Sequence, residues 1–382
     1  MSRQIQRVGV IGGGQLARMM AGAAQKLGVE LIVQTPSPSD PAVETAAEAV
    51  FAAIDDATAT ARLAERCDVI TFENEFIDLA ALQPLASQGV YFRPRLEALA
   101  PLLDKYDQRC YLRDMGLPVP RFVAVEGDNV SLPAPESPFP VVLKARRHGY
   151  DGQGTFIVRD RTALDATLQQ LGDTPVLLEE FIPFERELAV IAARDISGNV
   201  VVFPVVETQQ VEQVCRWVQA PAEVSLAVQQ QVEAIAKTLL NTLEAVGVFG
   251  IELFLTPDGQ VLVNEIAPRT HNSGHLTLDA CETSQFEQQL RAVCQLPLGD
   301  ASLNCPGAVM VNLLGYEQAH SDYSLQRQQL AQIPQAHVYW YDKSEARPGR
   351  KLGHVTVLLE TAKRTDAIAI VEKIESIWYP NA

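Results

Sequence analysis

Phe249-Gly-Ile-Glu252-Leu-Phe-Leu-Thr-Pro-Asp-Gly-Gln-Val-Leu-Val-Asn264-Glu265 reads as two apolar strands around the turn Thr256-Pro-Asp-Gly259. Pairing centred on Asp258-Gly259 sets Glu252 directly opposite Glu265, so both carboxylates share one face of neighbouring antiparallel strands. Like charges at that spacing repel unless a proton or a cation lies between them. Both acids sit among Ile251, Leu253 and Val263, which disfavours full solvation of both. A divalent cation with oxygen ligands relieves the pair, and magnesium is favoured where phosphates complete the shell. Two readings compete: an exposed pair on the solvent side of the sheet, and a pair sharing one proton. In an ideal ladder Asn264 points to the other face and assists only if the strand bends there.

The segment that follows, Ala267-Pro-Arg269-Thr270-His271-Asn272-Ser273-Gly274-His275, has almost no core former and hangs at the acidic end of the hairpin. Arginine and histidine there can hold an anionic reactant beside a terminal phosphate. His271 and His275 also make a conceivable zinc pair, but no third thiol or acid stands at catalytic spacing.

Working outward, three more clusters carry chemistry. Lys144-Ala-Arg-Arg-His-Gly149-Tyr-Asp-Gly152-Gln-Gly154 is a glycine-bearing basic loop between the strands Val141–Lys144 and Thr155–Val158. It is no Walker A sequence, yet a strand lysine and a mobile glycine loop can cover phosphoryl oxygens; the competing reading is a solvated basic hairpin. Gly12-Gly-Gly-Gln15-Leu-Ala17 follows a short strand, Val8–Ile11, and opens a helix, Gln15–Leu27, that Gly28 stops. Such a turn suits a phosphate. A dinucleotide is disfavoured, because the next strand, Val29–Val33, runs into Gln34-Thr35-Pro36 with no acid for a ribose. A ligand-free packing turn is the alternative. Tyr341-Asp342-Lys343-Ser-Glu-Ala-Arg347-Pro-Gly-Arg350-Lys351 holds two of only eight lysines in the chain and reads as a phosphate clamp for a second substrate, or else as an exposed basic turn.

Strand–helix alternation up to Val69–Phe72 and its acidic tail Glu73-Asn74-Glu75 predicts a parallel α/β unit of roughly 100 residues. A helix is expected over 102–114, a proline-rich change of composition over 127–140, β-rich sequence through Val200–Val206, a long helix over 228–243, strands over 309–313 and 353–359, and a closing helix over 366–377. The fold class is therefore α/β and α+β multidomain.

The 382 residues carry 31 basic and 47 acidic side chains, a formal net charge of −16, which argues against broad binding to nucleic acid or an anionic membrane. A hydrophobic share of 47% supports large cores without disulfide or metal staples. Six cysteines form no CxxC pair, and no apolar run qualifies as a membrane span. A cytoplasmic home is expected.

Five motifs in order resemble the N5-carboxyaminoimidazole ribonucleotide synthetases, a biotin-independent family of the ATP-grasp superfamily. They are Gly12-Gly-Gly-Gln-Leu-Ala-Arg-Met19, Thr71-Phe-Glu-Asn-Glu75, Lys144 with Tyr150-Asp-Gly-Gln-Gly154, Asn264 through His275, and Trp340-Tyr-Asp-Lys343 with Arg347 through Lys351. The resemblance implies an ATP-grasp fold behind a Rossmann-like (preATP-grasp) N-terminal domain, with the chain divided at 1–103, 104–190 and 191–382. It implies a reaction of ATP, bicarbonate and 5-aminoimidazole ribonucleotide, with magnesium or alternatively manganese, without biotin, in a homodimer. Lys105 and Lys144 are then expected at ATP phosphates under the loop of Tyr150, Gly152 and Gly154. Glu179, Glu180, Phe181 and Ile182 belong beside adenine, and Glu187 at ribose. Glu252 and Glu265 become the metal ligands, Asn264 a further contact. Arg269, His271, Asn272 and Lys351 form the implied catalytic group. Gly14, Gln15, Glu73, Tyr150, Lys343, Arg350 and Lys351 are implied for the ribonucleotide. The rivals are a formate-dependent glycinamide ribonucleotide transformylase, whose loop resembles Ser-Ser-Gly-Lys-Gly rather than Tyr150-Asp-Gly-Gln-Gly154, and a non-catalytic nucleotide-binding subunit.

Overall fold

A computed structural model describes residues 5–125, 132–134, 139–147, 154–343 and 345–379. The loop residues Tyr150 and Gly152 lie outside the described residues.

The first sheet is parallel, with β1 (Arg7–Ile11), β2 (Glu30–Thr35), β3 (Glu48–Phe51) and β4 (Val69–Phe72) in the order β3-β2-β1-β4. Strands β1 and β4 are apolar runs because helices cover both faces. The helix Gln15–Leu27 ends where Gly28 adopts a left-handed φ of 65° and its N–H caps the carbonyls of Ala24 and Gln25. The second strand starts one residue later than the expected Val29 and runs on to Thr35, because Pro36 is what ends it.

The second sheet is antiparallel: β5 (Phe122–Ala124), β6 (Val141–Ala145), β7 (Thr155–Val158) and β8 (Val176–Glu180), in the order β5-β8-β6-β7. The helix expected over 102–114 is shorter, Lys105–Asp114. The Asp104 side chain caps it by accepting from the Tyr106 and Asp107 N–H groups, and Pro101 sits in a separate 3-10 turn, Ala100–Leu102.

The third sheet has nine strands. β9 (Arg186–Arg194), β10 (Val200–Val202), β11 (Val206–Val211), β12 (Val214–Ala220), β13 (Gly247–Leu255), β14 (Val261–Ala267), β15 (Gly307–Leu314), β16 (Ala336–Trp340) and β17 (Lys351–Leu359) run in the order β14-β13-β9-β11-β12-β15-β17-β16, with β10 beside β9. The apolar run Val200–Val206 is split into β10 and the start of β11 across Pro204, which has no N–H to give a ladder. The boundary drawn at 190/191 falls inside β9, which pairs with β13 along its whole length, so the division between the second and third sheets lies before Arg186.

The helix Leu226–Thr242 covers one face of β9 and β13 with Val232, Ile235, Ala236, Leu239 and Leu240. The opposite face, which carries Glu252, is partly roofed by residues 268–305. One further cluster spans the chain. Met20, Ala24 and Val33 of the first unit pack with Phe286, Leu290 and Tyr341.

Candidate active site

Glu252 and Glu265 face each other across β13 and β14, as the turn position requires. The ladder is not ideal, however. Leu253, Phe254 and Leu255 pair with Val263, Leu262 and Val261, so the register slips by one between Glu252 and Leu253. Asn264 is the extra residue of a β-bulge. The bulge corrects the ideal-ladder expectation, for it brings the Asn264 side chain to the acids: its Nδ2 donates to Glu252 Oε2 at 3.2 Å.

Cations gather around the pair. Lys105, at the first turn of the helix Lys105–Asp114, places Nζ 2.6 Å from Glu265 Oε2. Lys144 on β6 donates to Asn264 Oδ1 at 3.1 Å and lies 2.7 Å from Glu179 Oε2. Burial would raise the Glu265 carboxyl, but Lys105 and Lys144 outweigh it and hold the group below the usual range. Burial first, then the Glu265 charge, pushes Glu252 up to about 7. Glu187 on β9 is raised to about 7 by burial and by Glu252.

Two acids facing one another, with an amide oxygen alongside, make a hard oxygen donor set. It fits Mg2+ sharing its shell with phosphates better than Zn2+. Among the described residues no three His, Cys, Asp or Glu groups form a metal cage. His275 is engaged elsewhere: it is buried, with its ring 5.2 Å from that of His354 and its Nδ1 3.3 Å from Gln285 Nε2.

Glu179, expected beside adenine, makes two ion pairs within the protein. Its carboxylate is buried between Arg109 and Lys144. Their charges overcome the cost of burial and pull it down to about 2. Glu180 turns to Arg121, 2.8 Å away and outside the acidic cluster. Phe181 and Ile182 are half-buried in the segment joining β8 to β9. The next aromatic, Phe184, stacks on Phe254 with ring centres 4.8 Å apart. Gly154 closes the β6–β7 hairpin at a φ of 78°, its carbonyl accepting from Ala145 N–H at 2.7 Å.

Beyond the hairpin, Gly250 is obligatory, because a Cβ there would collide with the His271 side chain. His271 Nε2 stands 3.5 Å from Glu252 Oε1, and Nδ1 lies 2.9 Å from Ser273 Oγ. Burial, then Arg269 and Lys351, lower its pKa to about 4, so the ring is neutral at pH 7. Arg269 grips Glu75 with two nitrogens, Nε at 2.5 Å and Nη2 at 3.1 Å. Asn272 exchanges amide hydrogen bonds with Asn312 of β15 at 3.0 and 2.9 Å.

A second group forms where the first sheet meets the late basic loop. Glu73 Oε1 accepts from Leu16 N–H at 3.3 Å, and a Cβ on Gly14 would collide with that oxygen. Burial raises Glu73 to about 7 against the pull of Arg269. The buried Gln15 Oε1 has no protein partner among the described residues. Arg18 reaches Asp342 at 2.9 Å and docks the late loop on this end. Lys343 lies 5.9 Å from the Tyr341 ring centre, and Arg350 donates to the Glu345 carbonyl at 2.7 Å. Lys351 opens β17, and its charge lowers the pKa values of both Glu252 and His271.

Sequence reading missed Arg109, Gln108 and Asn312, and left Glu75 without a role. The spacing of Lys105, Gln108 and Arg109 on one helical face was the available signal.

Residues 110–286 match the ATP-grasp domain, 5–101 the ribonucleotide synthetase preATP-grasp domain, and 308–368 the phosphoribosylaminoimidazole carboxylase C-terminal domain. The N5-carboxyaminoimidazole ribonucleotide synthase of Synechococcus elongatus is 58% identical, over 99% of this chain and 96% of its own. That of Bacillus subtilis is 38% identical, over 92% and 91%. An ADP complex of an N5-carboxyaminoimidazole ribonucleotide synthetase superposes with a TM-score of 0.91 at 36% identity, covering 100% of this chain and 99% of the other. The Aspergillus clavatus enzyme, solved with ADP and 5-aminoimidazole ribonucleotide, gives 0.90 at 32% identity, covering 98% and 99%.

Proposed function

The chain belongs to the N5-carboxyaminoimidazole ribonucleotide synthase family of the ATP-grasp superfamily, and from that premise we propose how its own side chains divide the reaction. It is an ATP-dependent carbon–nitrogen ligase of purine biosynthesis. With bicarbonate it carboxylates 5-aminoimidazole ribonucleotide to N5-carboxyaminoimidazole ribonucleotide, releasing ADP and phosphate. The formate-dependent transformylase and the non-catalytic subunit are thereby set aside.

Bicarbonate is a poor electrophile. Its oxygen attacks the γ-phosphorus of ATP, ADP leaves, and carboxyphosphate forms. The exocyclic amine then takes the carboxyl carbon, directly or as carbon dioxide, and phosphate departs. Phosphoryl transfer needs alignment and charge compensation rather than a covalent protein intermediate. Lys105 and Lys144 carry that charge toward the phosphates, and Glu187 takes the ribose. Adenine lies against residues 180–182, with Phe184 and Phe254 adding an apolar platform nearby. Glu252, Glu265 and Asn264 would hold Mg2+ or Mn2+, which when bound supplies neutralising charge at the terminal phosphates.

His271, neutral at pH 7, can hold bicarbonate through hydrogen bonds. Asn272 and Lys351 complete the anion's surroundings. Arg269 meets Glu75 and lies close enough to Glu73 and Glu265 to feel both charges, so it stands between the two substrate regions. The ribonucleotide extends across Gly14, Gln15, Glu73 and Lys343, with Arg350 and Lys351 for its phosphate. The reading rests above all on the bulged hairpin, which gathers Glu252, Asn264, Glu265, Lys105 and Lys144 in direct contact.

We also place the protein in the cytoplasm, as a homodimer. Six free cysteines suit a reducing compartment, and among the described residues no helix is long and apolar enough to cross a membrane.

ADP release from Mg-ATP and bicarbonate is the test. Strong stimulation by 5-aminoimidazole ribonucleotide is expected. Stimulation only by formate with glycinamide ribonucleotide, or by neither, would overturn the reading.

A further inference from the structure

The strand that carries Glu265 is the outer edge of the nine-stranded sheet. An edge strand leaves alternate N–H and C=O groups without a ladder partner. Here a single helix, Lys105–Asp114, supplies partners to a run of them. The Gln108 side chain behaves like a missing strand: its Oε1 accepts from Ile266 N–H at 2.9 Å, and its Nε2 donates to the Ile266 carbonyl at 3.1 Å. Arg109 Nη2 donates to the Asn264 carbonyl at 2.5 Å. Upstream, Val263 N–H donates to the Pro118 carbonyl at 2.8 Å. In a regular strand outward-facing residues recur every second position. Val263 and Ile266 both bond outward although three positions apart, which locates the inserted residue at Asn264 and leaves its carbonyl to be satisfied from outside the sheet.

Arg109 does more than cap that carbonyl. Its Nε donates to Glu179 Oε1, and the other Glu179 oxygen lies 2.7 Å from Lys144 Nζ. Lys144 in turn donates to the Asn264 side chain, which donates to Glu252. The guanidinium side chain is 3% exposed and so is the Glu179 carboxylate. One buried guanidinium therefore fixes the main chain of the bulge and, through Glu179, the lysine that holds the bulge's side chain. Only a planar fork with several donors spans both partners; a lysine ammonium serves one of them.

We propose that Arg109, assisted by Gln108, is a positioning residue that sets the bulge at Asn264 and so fixes the separation of Glu252 and Glu265 for their cation. The proposal deepens the site assigned above and rests on that assignment.

The test compares Arg109→Lys and Gln108→Met with the unaltered protein, and takes Arg113→Lys, on the exposed side of the same helix, as the control. Mn2+ affinity is read from the resonance of free Mn2+ in the presence of ADP. ADP affinity is measured separately in chelator, and turnover with its KM for 5-aminoimidazole ribonucleotide completes the set. For Arg109→Lys, Mn2+ affinity and kcat are expected to fall about 10- to 100-fold, the range typical of partners that orient metal ligands. ADP affinity without metal should fall by about threefold at most, through Lys144, and the KM for the ribonucleotide should stay within about twofold. Gln108→Met should move Mn2+ affinity in the same direction by about threefold, and Arg113→Lys should not move it.

Mn2+ affinity within about twofold of the unaltered protein in a folded Arg109→Lys variant overturns the proposal. So does an equal fall in metal-free ADP affinity, which would mean general loosening. If Arg109→Lys does not fold, unchanged Mn2+ affinity in Gln108→Met overturns it. Because Mn2+ binding is read without turnover, failure of the unaltered protein to carboxylate would count against the assigned function and leave this measurement standing.

Discussion

Two pairs of glutamates stand in this molecule with different fates. Glu73 and Glu75 follow the last strand of the first sheet; Glu252 and Glu265 face each other on the bulged hairpin. In each pair one acid is held charged by a cation and the other is raised to about 7 by burial. The cations differ. Arg269 spends Nε and Nη2 on Glu75 and Nη1 on the Thr270 carbonyl, so it is committed within the fold. Lys105 makes one point contact from the first turn of a helix and can exchange it for another anion. The same residue types thus commit the cation to a joint between units in one place and leave it free to meet a ligand in the other.

Removing one acid of the open pair should show the largest effect. Glu265→Ala is expected to cut ADP release by about 100-fold or more, with little change in the urea midpoint. A parallel loss of folding would deny it a metal role. The closed pair should respond the other way. Arg269→Met strands Glu75 and should cost about 2 kcal/mol of stability, less than a fully buried pair because the two side chains keep 18% and 24% exposure. A cost near zero in urea unfolding would erase the contrast.

Lys105→Met should raise the KM for ATP by about tenfold while changing stability by less than about 1 kcal/mol, since Glu265 is 38% exposed. A larger stability loss would make Lys105 a joint like Arg269. The smallest effect sharpens the closed pair. Glu73 faces Arg269, Glu75, Asn74 and the Leu16 N–H, and its folded pKa of about 7 exceeds the ordinary 4.5. The folded chain therefore binds this proton more tightly, and the stability so gained is full below about 4.5 and lost as pH rises through about 7. The difference curve between the unaltered protein and Glu73→Gln should slope in that window and flatten above it. A flat difference throughout would show that burial does not act on Glu73 as described.

Much of this was legible beforehand for identifiable reasons. Periodicity and a glycine stop placed the helix Gln15–Leu27 at its true ends. Apolar runs placed β4 and β7, and the turn Thr256–Gly259 set Glu252 against Glu265. Asn264 and Glu179 took partners that sequence reading did not supply, for different reasons. The first needed a one-residue slip in the ladder, and the second needed Arg109, which is 70 positions away.

The amino-acid order alone settled the local patterns: which stretches alternate or repeat, where glycine and proline end them, and which charges a short turn must bring together. These follow from steric preferences acting over a few residues. Only the folded chain decided which side of the edge strand Asn264 serves, that Glu179 lies beneath Lys144, and that Arg269 spends its charge on Glu75. Such outcomes depend on burial and on partners distant in sequence, and a charge in a nonpolar interior takes whichever counter-charge the packing delivers.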